Sequence, residues 1–145
     1  MRISDILRVK GNKVITVTPG SDVTQLLTLL AEHRIGAVIV SADGIRVDGI
    51  VSERDVVRAL AARGAAVLAE PVTAIHTEKV RSVTPDAAVE EVERLMTEQR
   101  FRHVPVIEGG RLRGVVSIGD VVKNRIDELE TERSNLEGYI TGERI

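Results

Sequence analysis

The chain has 145 residues, about one domain by the usual prior of ~150 residues. Its 20 basic and 22 acidic side chains leave a net charge of −2, and its only aromatic residues are Phe101 and Tyr139, so neither phosphate neutralisation nor base stacking along a nucleic acid is favoured. The absence of cysteine excludes disulfides, thiolate nucleophiles and cysteine-ligated metals.

The amino terminus is charged at Arg2 and Asp5 and shows no apolar stretch of the signal-peptide kind. The most apolar run, residues 35–42, is far too short to cross a bilayer. A soluble cytoplasmic protein is the expectation. A short amphipathic segment, Ile3-Ser4-Asp5-Ile6-Leu7, comes first. An extended segment follows, Val14 to Val17, and ends at Thr18-Pro19. Proline removes an amide donor and biases its predecessor away from helix, so it closes the strand. Val23, Leu26, Leu27 and Leu30 recur at helical steps. Ala37–Val40 reads as a strand, Ala42-Asp43-Gly44 as a turn and Val47–Val51 as the returning strand of a hairpin. A helix starts near Ser52, and residues 65–70 form a connection.

Pro71 opens a second pass through the same order. It comprises the short segment Val72–His76, a strand over Val80–Val83 and Thr84-Pro85. A helix follows on Val89, Val92, Leu95 and Met96, then a hairpin of Val104–Ile107 and Leu112–Val116, and a helix from near Ser117. The chain is therefore a repeat. Pro19 and Pro85 lie 66 residues apart, and Asp55 and Asp120 lie 65 apart. The predicted fold is α/β (α+β), two pseudo-symmetric β-α-β-β-α units over residues 1–67 and 68–126, with a helical tail over 127–145. In the final helix, Val122, Ile126, Leu129, Leu136 and Ile140 form a heptad-like stripe interrupted by Arg133. That stripe fits a helix folded back on its own domain, a dimer contact or a dock for a partner.

The repeated element Gly-x-x-Ser-x-x-Asp carries the chemistry. It stands as Gly49…Ser52…Asp55 and Gly114…Ser117…Asp120, each where a strand becomes a helix. One reading is a helix cap, with Ser as N-cap and the acid completing a capping box. The other is a ligand site. A helix N-terminus attracts phosphate, and a carboxylate one turn in accepts hydrogen bonds from the vicinal hydroxyls of a ribose.

The Thr-Pro after each first strand, Arg102-His103-Val104-Pro105-Val106 and the duplicated Gly-x-x-Ser-x-x-Asp together resemble a tandem pair of cystathionine β-synthase (CBS) domains, a Bateman module. The resemblance covers residues 1–126. It implies two repeats packed sheet to sheet and an adenosine-containing ligand between them: AMP first, or ADP, ATP, NAD or S-adenosylmethionine. It makes Asp55 and Asp120 the ribose carboxylates of two sites, with Ser52 and Ser117 beside ribose or phosphate. The sites cross the repeats, so Val80, Arg81 and Ser82 belong near Asp55, and Val14, Ile15 and Thr16 near Asp120. Ile50 and Val115 would touch the base. Arg102, His103 and Arg54 would meet phosphates, and Pro105 lies in the same strand segment.

The copies differ. Where the second has Arg102-His103, the first has Gly36-Ala37, small residues that allow close approach but carry no charge. Where the first has Arg54, the second has Gly119. Two sites of unequal affinity or ligand follow. His33 is expected to be exposed, and His76 to be structural or at the cleft rim. No Walker loop, metal-spaced histidine pair or nucleophile elbow is present in the sequence. The expected function is a stand-alone regulatory module, not an enzyme and without a catalytic cofactor. It would bind adenine nucleotide and signal to an effector protein by population shift, as a homodimer, with no membrane and no nucleic-acid role. The alternative is a ligand-independent homodimeric scaffold that uses the tail helix.

Overall fold

The computed structural model describes residues 1–11 and 13–140, and the side chains of all these except Tyr139 and Ile140. The last five residues of the predicted tail, and the Ile140 side chain in its stripe, lie outside the described residues. The first half comprises α1 (Ile3–Lys10), β1 (Thr16–Val17), α2 (Val23–His33), β2 (Ala37–Val40), β3 (Gly49–Ser52) and α3 (Glu53–Arg63). Two 3-10 turns, Ala65–Ala69 and Val72–Ala74, lead to α4 (Val89–Gln99), β4 (His103–Glu108), β5 (Arg111–Ser117) and α5 (Ile118–Ile140).

The first sheet has the order β1-β2-β3, with β1 parallel and β3 antiparallel to β2. The second is the antiparallel pair β4-β5. Its expected outer strand, Val80–Val83, contracts to one parallel bridge between Val83 and Val106. The Val83 amide donates to the Pro105 carbonyl at 3.0 Å, and the Ile107 amide donates to the Val83 carbonyl at 2.9 Å. Continuing this ladder would require residue 105 to donate to the carbonyl of residue 81. Pro105 has no N–H, so the pairing stops. In the first copy Ile39 stands at that position, and Thr16 and Val17 both pair.

Each repeat has its own aliphatic core. Val17, Val23, Leu26, Val38, Val51 and Val56 are among the buried residues of the first, and Val89, Val92, Val104, Val106, Val116 and Val121 among those of the second. The lead-in segments cross over. Ile3, Ile6 and Leu7 of α1 are buried in the second core, and Val72 is buried in the first. Matching backbone bonds fasten each crossing: Ile3 N–H to the Ala87 carbonyl at 2.9 Å, and Val72 N–H to the Ser21 carbonyl at 2.8 Å. The chain therefore knits its halves together at both ends of the first repeat.

The helix ends follow local chemistry. Asp22 caps α2 through the Gln25 amide at 2.7 Å, and Gln25 returns the bond to the Asp22 amide at 2.9 Å. Both α2 and α4 end on an arginine in the left-handed region, Arg34 (φ 53°) and Arg100 (φ 57°). α5 is one continuous helix of 23 residues that runs from the end of the second repeat through the described part of the predicted tail. Ile126, Leu129 and Leu136 on it are about half exposed or more.

Candidate functional site

Both Gly-x-x-Ser-x-x-Asp elements fold as helix caps. In the first, Ser52 Oγ accepts the Asp55 amide at 3.2 Å, and Asp55 Oδ2 accepts the Ser52 amide at 2.8 Å and hydroxyl at 3.0 Å. In the second, Ser117 Oγ accepts the Asp120 amide at 3.1 Å, and Asp120 Oδ2 accepts the Ser117 amide at 2.8 Å. Each cap engages Oδ2. Oδ1 is left to other partners, so capping and ligand binding are compatible in one residue.

The surroundings of the two carboxylates differ. Asp120 stands on the wall of a cleft of about 360 Å³ lined by both repeats, within the ~300–1,000 Å³ typical of small-molecule sites. From the first repeat, Val14, Ile15, Gly36 and Ala37 line it. From the second, His103, Val115, Ser117 and Asp120 line it. Thr16 lies just beyond, in β1, paired with Ile39. Pro105 is buried in β4 opposite Val115. Arg102 is exposed, and its carbonyl accepts the first amide of α5, that of Ile118, at 2.8 Å.

Asp55 has a different setting. Ile50 in β3 exchanges two backbone hydrogen bonds with Thr77, at 3.0 and 2.9 Å. Arg54 is exposed on the first turn of α3. Val80 is half-buried, and Arg81 and Ser82 are exposed. Among the described residues, no hydrogen bond or ion pair joins these three to Ser52 or Asp55. The structure thus gathers eight of the predicted residues into one cleft at Asp120.

Three cations of the cleft were not singled out from sequence: Lys10, Lys13 and Arg34. Lys10 Nζ donates to Asp120 Oδ2 and to the Val115 carbonyl, both at 2.7 Å. A signal for Arg34 did exist in the repeat, as Glu32-His33-Arg34 matches Glu98-Gln99-Arg100. Lys10 had none, because its partner lies 110 residues away. Burial pulls the Asp120 carboxyl upward, but the hydrogen bonds from Lys10 and the Ser117 amide outweigh it and hold its pKa below the usual value. Burial, then the Lys10 charge, lowers the pKa of His103, against the opposing pull of Asp120 and Glu53. His103 also meets the first repeat. A β-carbon built on Gly36 would stand 3.5 Å from its Cε1.

His33 is exposed on α2, whereas the His76 side chain is only 5% exposed and packs over Gly49. No helix among the described residues is long and apolar enough to cross a membrane.

A duplicated α+β unit with a cleft between its copies defines a two-repeat module. The family model for the CBS domain matches twice, at residues 3–62 and 72–127, and the chain belongs to that family. It is 34% identical over 148 aligned positions to the mitochondrial CBS domain-containing protein CBSX3 of Arabidopsis thaliana, covering 97% of this chain and 72% of that protein. A crystal structure of a CBS-domain-containing protein from Agrobacterium tumefaciens superposes with a TM-score of 0.83 at 44% identity, over 86% of this chain and 99% of that one. A CBS domain protein from Pyrobaculum aerophilum, solved in complex with AMP, gives a TM-score of 0.74 at 29% identity, over 83% and 89% of the two chains.

Proposed function

We propose that the protein is a regulatory module that binds an adenosine-containing ligand in the Asp120 cleft and passes its occupancy to a partner protein. The observation that carries this is the cleft itself, formed by both repeats around a carboxylate whose Oδ1 the cap does not use. The AMP bound by the Pyrobaculum relative supports the ligand class. In this reading Asp120 takes the ribose hydroxyls, Val115 and the Val14–Thr16 segment flank the base, and His103 faces the phosphates. Asp55, with Ile50, Arg54 and Val80–Ser82, forms a second, weaker site. The role is regulatory rather than catalytic. AMP is the first candidate, with ADP, ATP, NAD and S-adenosylmethionine as the others.

Transmission follows from the position of the cleft. A ligand that touches both repeats favours the arrangement that grips it better, and only that difference in affinity shifts the population. Thermal melting against the panel of adenosine ligands tests the reading. At ~100-fold over its dissociation constant a ligand adds ~2.7 kcal/mol, several degrees for a chain of this size. A selective shift that Asp120→Ala abolishes is the expected result. No shift with any of them would overturn it.

The exposed apolar stripe of α5 supports one further assignment, pairing with a second copy of the chain. Ile126, Leu129 and Leu136 turn large aliphatic surfaces to solvent on one helix, a costly arrangement for a lone monomer.

A further inference from the structure

We infer that Lys10 makes the Asp120 cleft selective for adenosine ligands that carry phosphate. This rests on the cleft being an adenosine site, and it adds which chemical class of adenosine ligand the site accepts.

Lys10 is the last residue of α1, and the chain breaks away immediately after it at Gly11, whose φ is +95°. Its ammonium holds Asp120 Oδ2 and the Val115 carbonyl, both at 2.7 Å. It therefore sits on the carboxylate at which a ribose would bind. Vicinal ribose hydroxyls that engage both oxygens of Asp120 compete with that ammonium for Oδ2. The lysine side chain is 42% exposed and the aspartate 24%, so the pair is only partly screened by water. Once displaced, the ammonium needs another anion nearby.

Asp120 does not balance the cleft. Lys13 and Arg34 line the same walls, and among the described residues neither has an ion-pair partner. The lowered pKa of His103 keeps it neutral near pH 7. Lys10, Lys13 and Arg34 thus outnumber the carboxylates, Asp120 on the cleft wall and Glu53 beside Gly36. An uncharged nucleoside would break the Lys10–Asp120 pair and offer nothing in exchange. A sulfonium nucleoside would bring a further positive charge against the three already present. A phosphorylated nucleoside supplies the missing anion, and charge-assisted hydrogen bonds to it are the strong kind. The flexible four-carbon stem lets the ammonium move from carboxylate to phosphate. Meanwhile Ile3, Ile6 and Leu7 keep α1 docked in the second core.

Calorimetric titration of the full chain with AMP, ATP, adenosine and S-adenosylmethionine tests this, on wild type, Lys10→Met and Lys10→Arg. Circular dichroism confirms that each variant is folded. Wild type is expected to prefer AMP or ATP over adenosine by about tenfold or more, the worth of one charge-assisted bond. Lys10→Met should weaken AMP and at the same time tighten adenosine, because the competing ammonium is gone. Lys10→Arg should retain the preference. Adenosine or S-adenosylmethionine binding wild type as tightly as AMP would overturn the selectivity while leaving the adenosine site standing. So would an AMP-to-adenosine ratio unchanged in Lys10→Met. Binding of none of the four to wild type would overturn the adenosine site, and the selectivity with it.

Discussion

Leu7 lies against the bare α-carbon of Gly114, so close that a β-carbon there would stand 2.6 Å from Leu7 Cδ2. The same relationship recurs in the other repeat. A β-carbon on Gly49 would stand 2.5 Å from His76 Nδ1 and 2.8 Å from the Thr77 carbonyl oxygen. The first glycine of each Gly-x-x-Ser-x-x-Asp element is thus the place where a lead-in segment crosses the sheet. Neither has a positive φ, so the requirement is steric.

Alanine at these two positions should cost unequal amounts. The obstacle at Gly114 is the flexible tip of a leucine, whereas at Gly49 it includes a backbone carbonyl. Overpacking costs about 1–3 kcal/mol, with Gly114→Ala expected near the lower end and Gly49→Ala near the upper. Urea denaturation of the two variants gives the order directly. Equal costs, or a larger cost at Gly114, would contradict the crossing as described.

The two aspartates should also differ without any ligand. Each substitution weakens the bond that the carboxylate accepts from the N-cap amide, and Asp120→Asn additionally loses the Lys10 ion pair. Asp120→Asn is therefore expected to destabilise more than Asp55→Asn. The folded pKa of Asp120 lies below its unfolded value near 3.8, so its contribution is present above that value and disappears as pH falls through the folded pKa. The acid limb of the stability curve should flatten in Asp120→Asn, measured by thermal melts from neutral pH down to the acid transition.

His103 gives a second pH signature, in a milder range. Its folded pKa is depressed from 6.5, so the unfolded chain binds more protons between that value and the folded pKa. Stability should then decline as pH drops below about 6.5, and His103→Gln should remove that part of the slope. A nucleotide phosphate beside His103 would oppose the depression, so AMP is expected to raise the pKa of the His103 imidazole, followed by the ring-proton shifts during a pH titration with and without AMP. A slope that persists in His103→Gln would assign it to another group.

The α5 stripe makes a prediction about assembly. Ile126→Lys combined with Leu129→Lys places two charges on the half-exposed aliphatic face. Light scattering coupled to size exclusion should report a dimer for wild type and a monomer for the double variant, with far-ultraviolet dichroism unchanged. A monomeric wild type would remove the second-copy assignment.

Much of this architecture was legible because the chain repeats itself. The hydrophobic steps of α2 and α4, the hairpins and the serine caps each appear twice, and each copy supports the other. The outer strand of the second sheet was misread because its apolar residues look like those of β1, while the decision lies in a neighbouring strand, at Pro105. The crossing of α1 was not legible either. An amphipathic stripe shows that a helix has a buried face, but not which core it enters. The same limit hid Lys10. Its pairing with Asp120 depends on the crossing, and no local spacing records it. Arg34 was visible in the repeat but read only as part of it. The cap geometry at Ser52 and Ser117 followed from spacing alone, whereas the charge of the cleft emerges only once both repeats are in place.

An adenosine ligand seated between the repeats against Asp120 would touch backbone amides in both halves of the chain. Amide chemical-shift mapping during an AMP titration tests this most directly. Perturbations are expected to concentrate at Val14, Ile15, Gly36, His103, Val115 and Asp120, drawn from both halves of the chain, and to be lost in Asp120→Ala. Perturbations confined to α5, or none at saturating AMP, would contradict it.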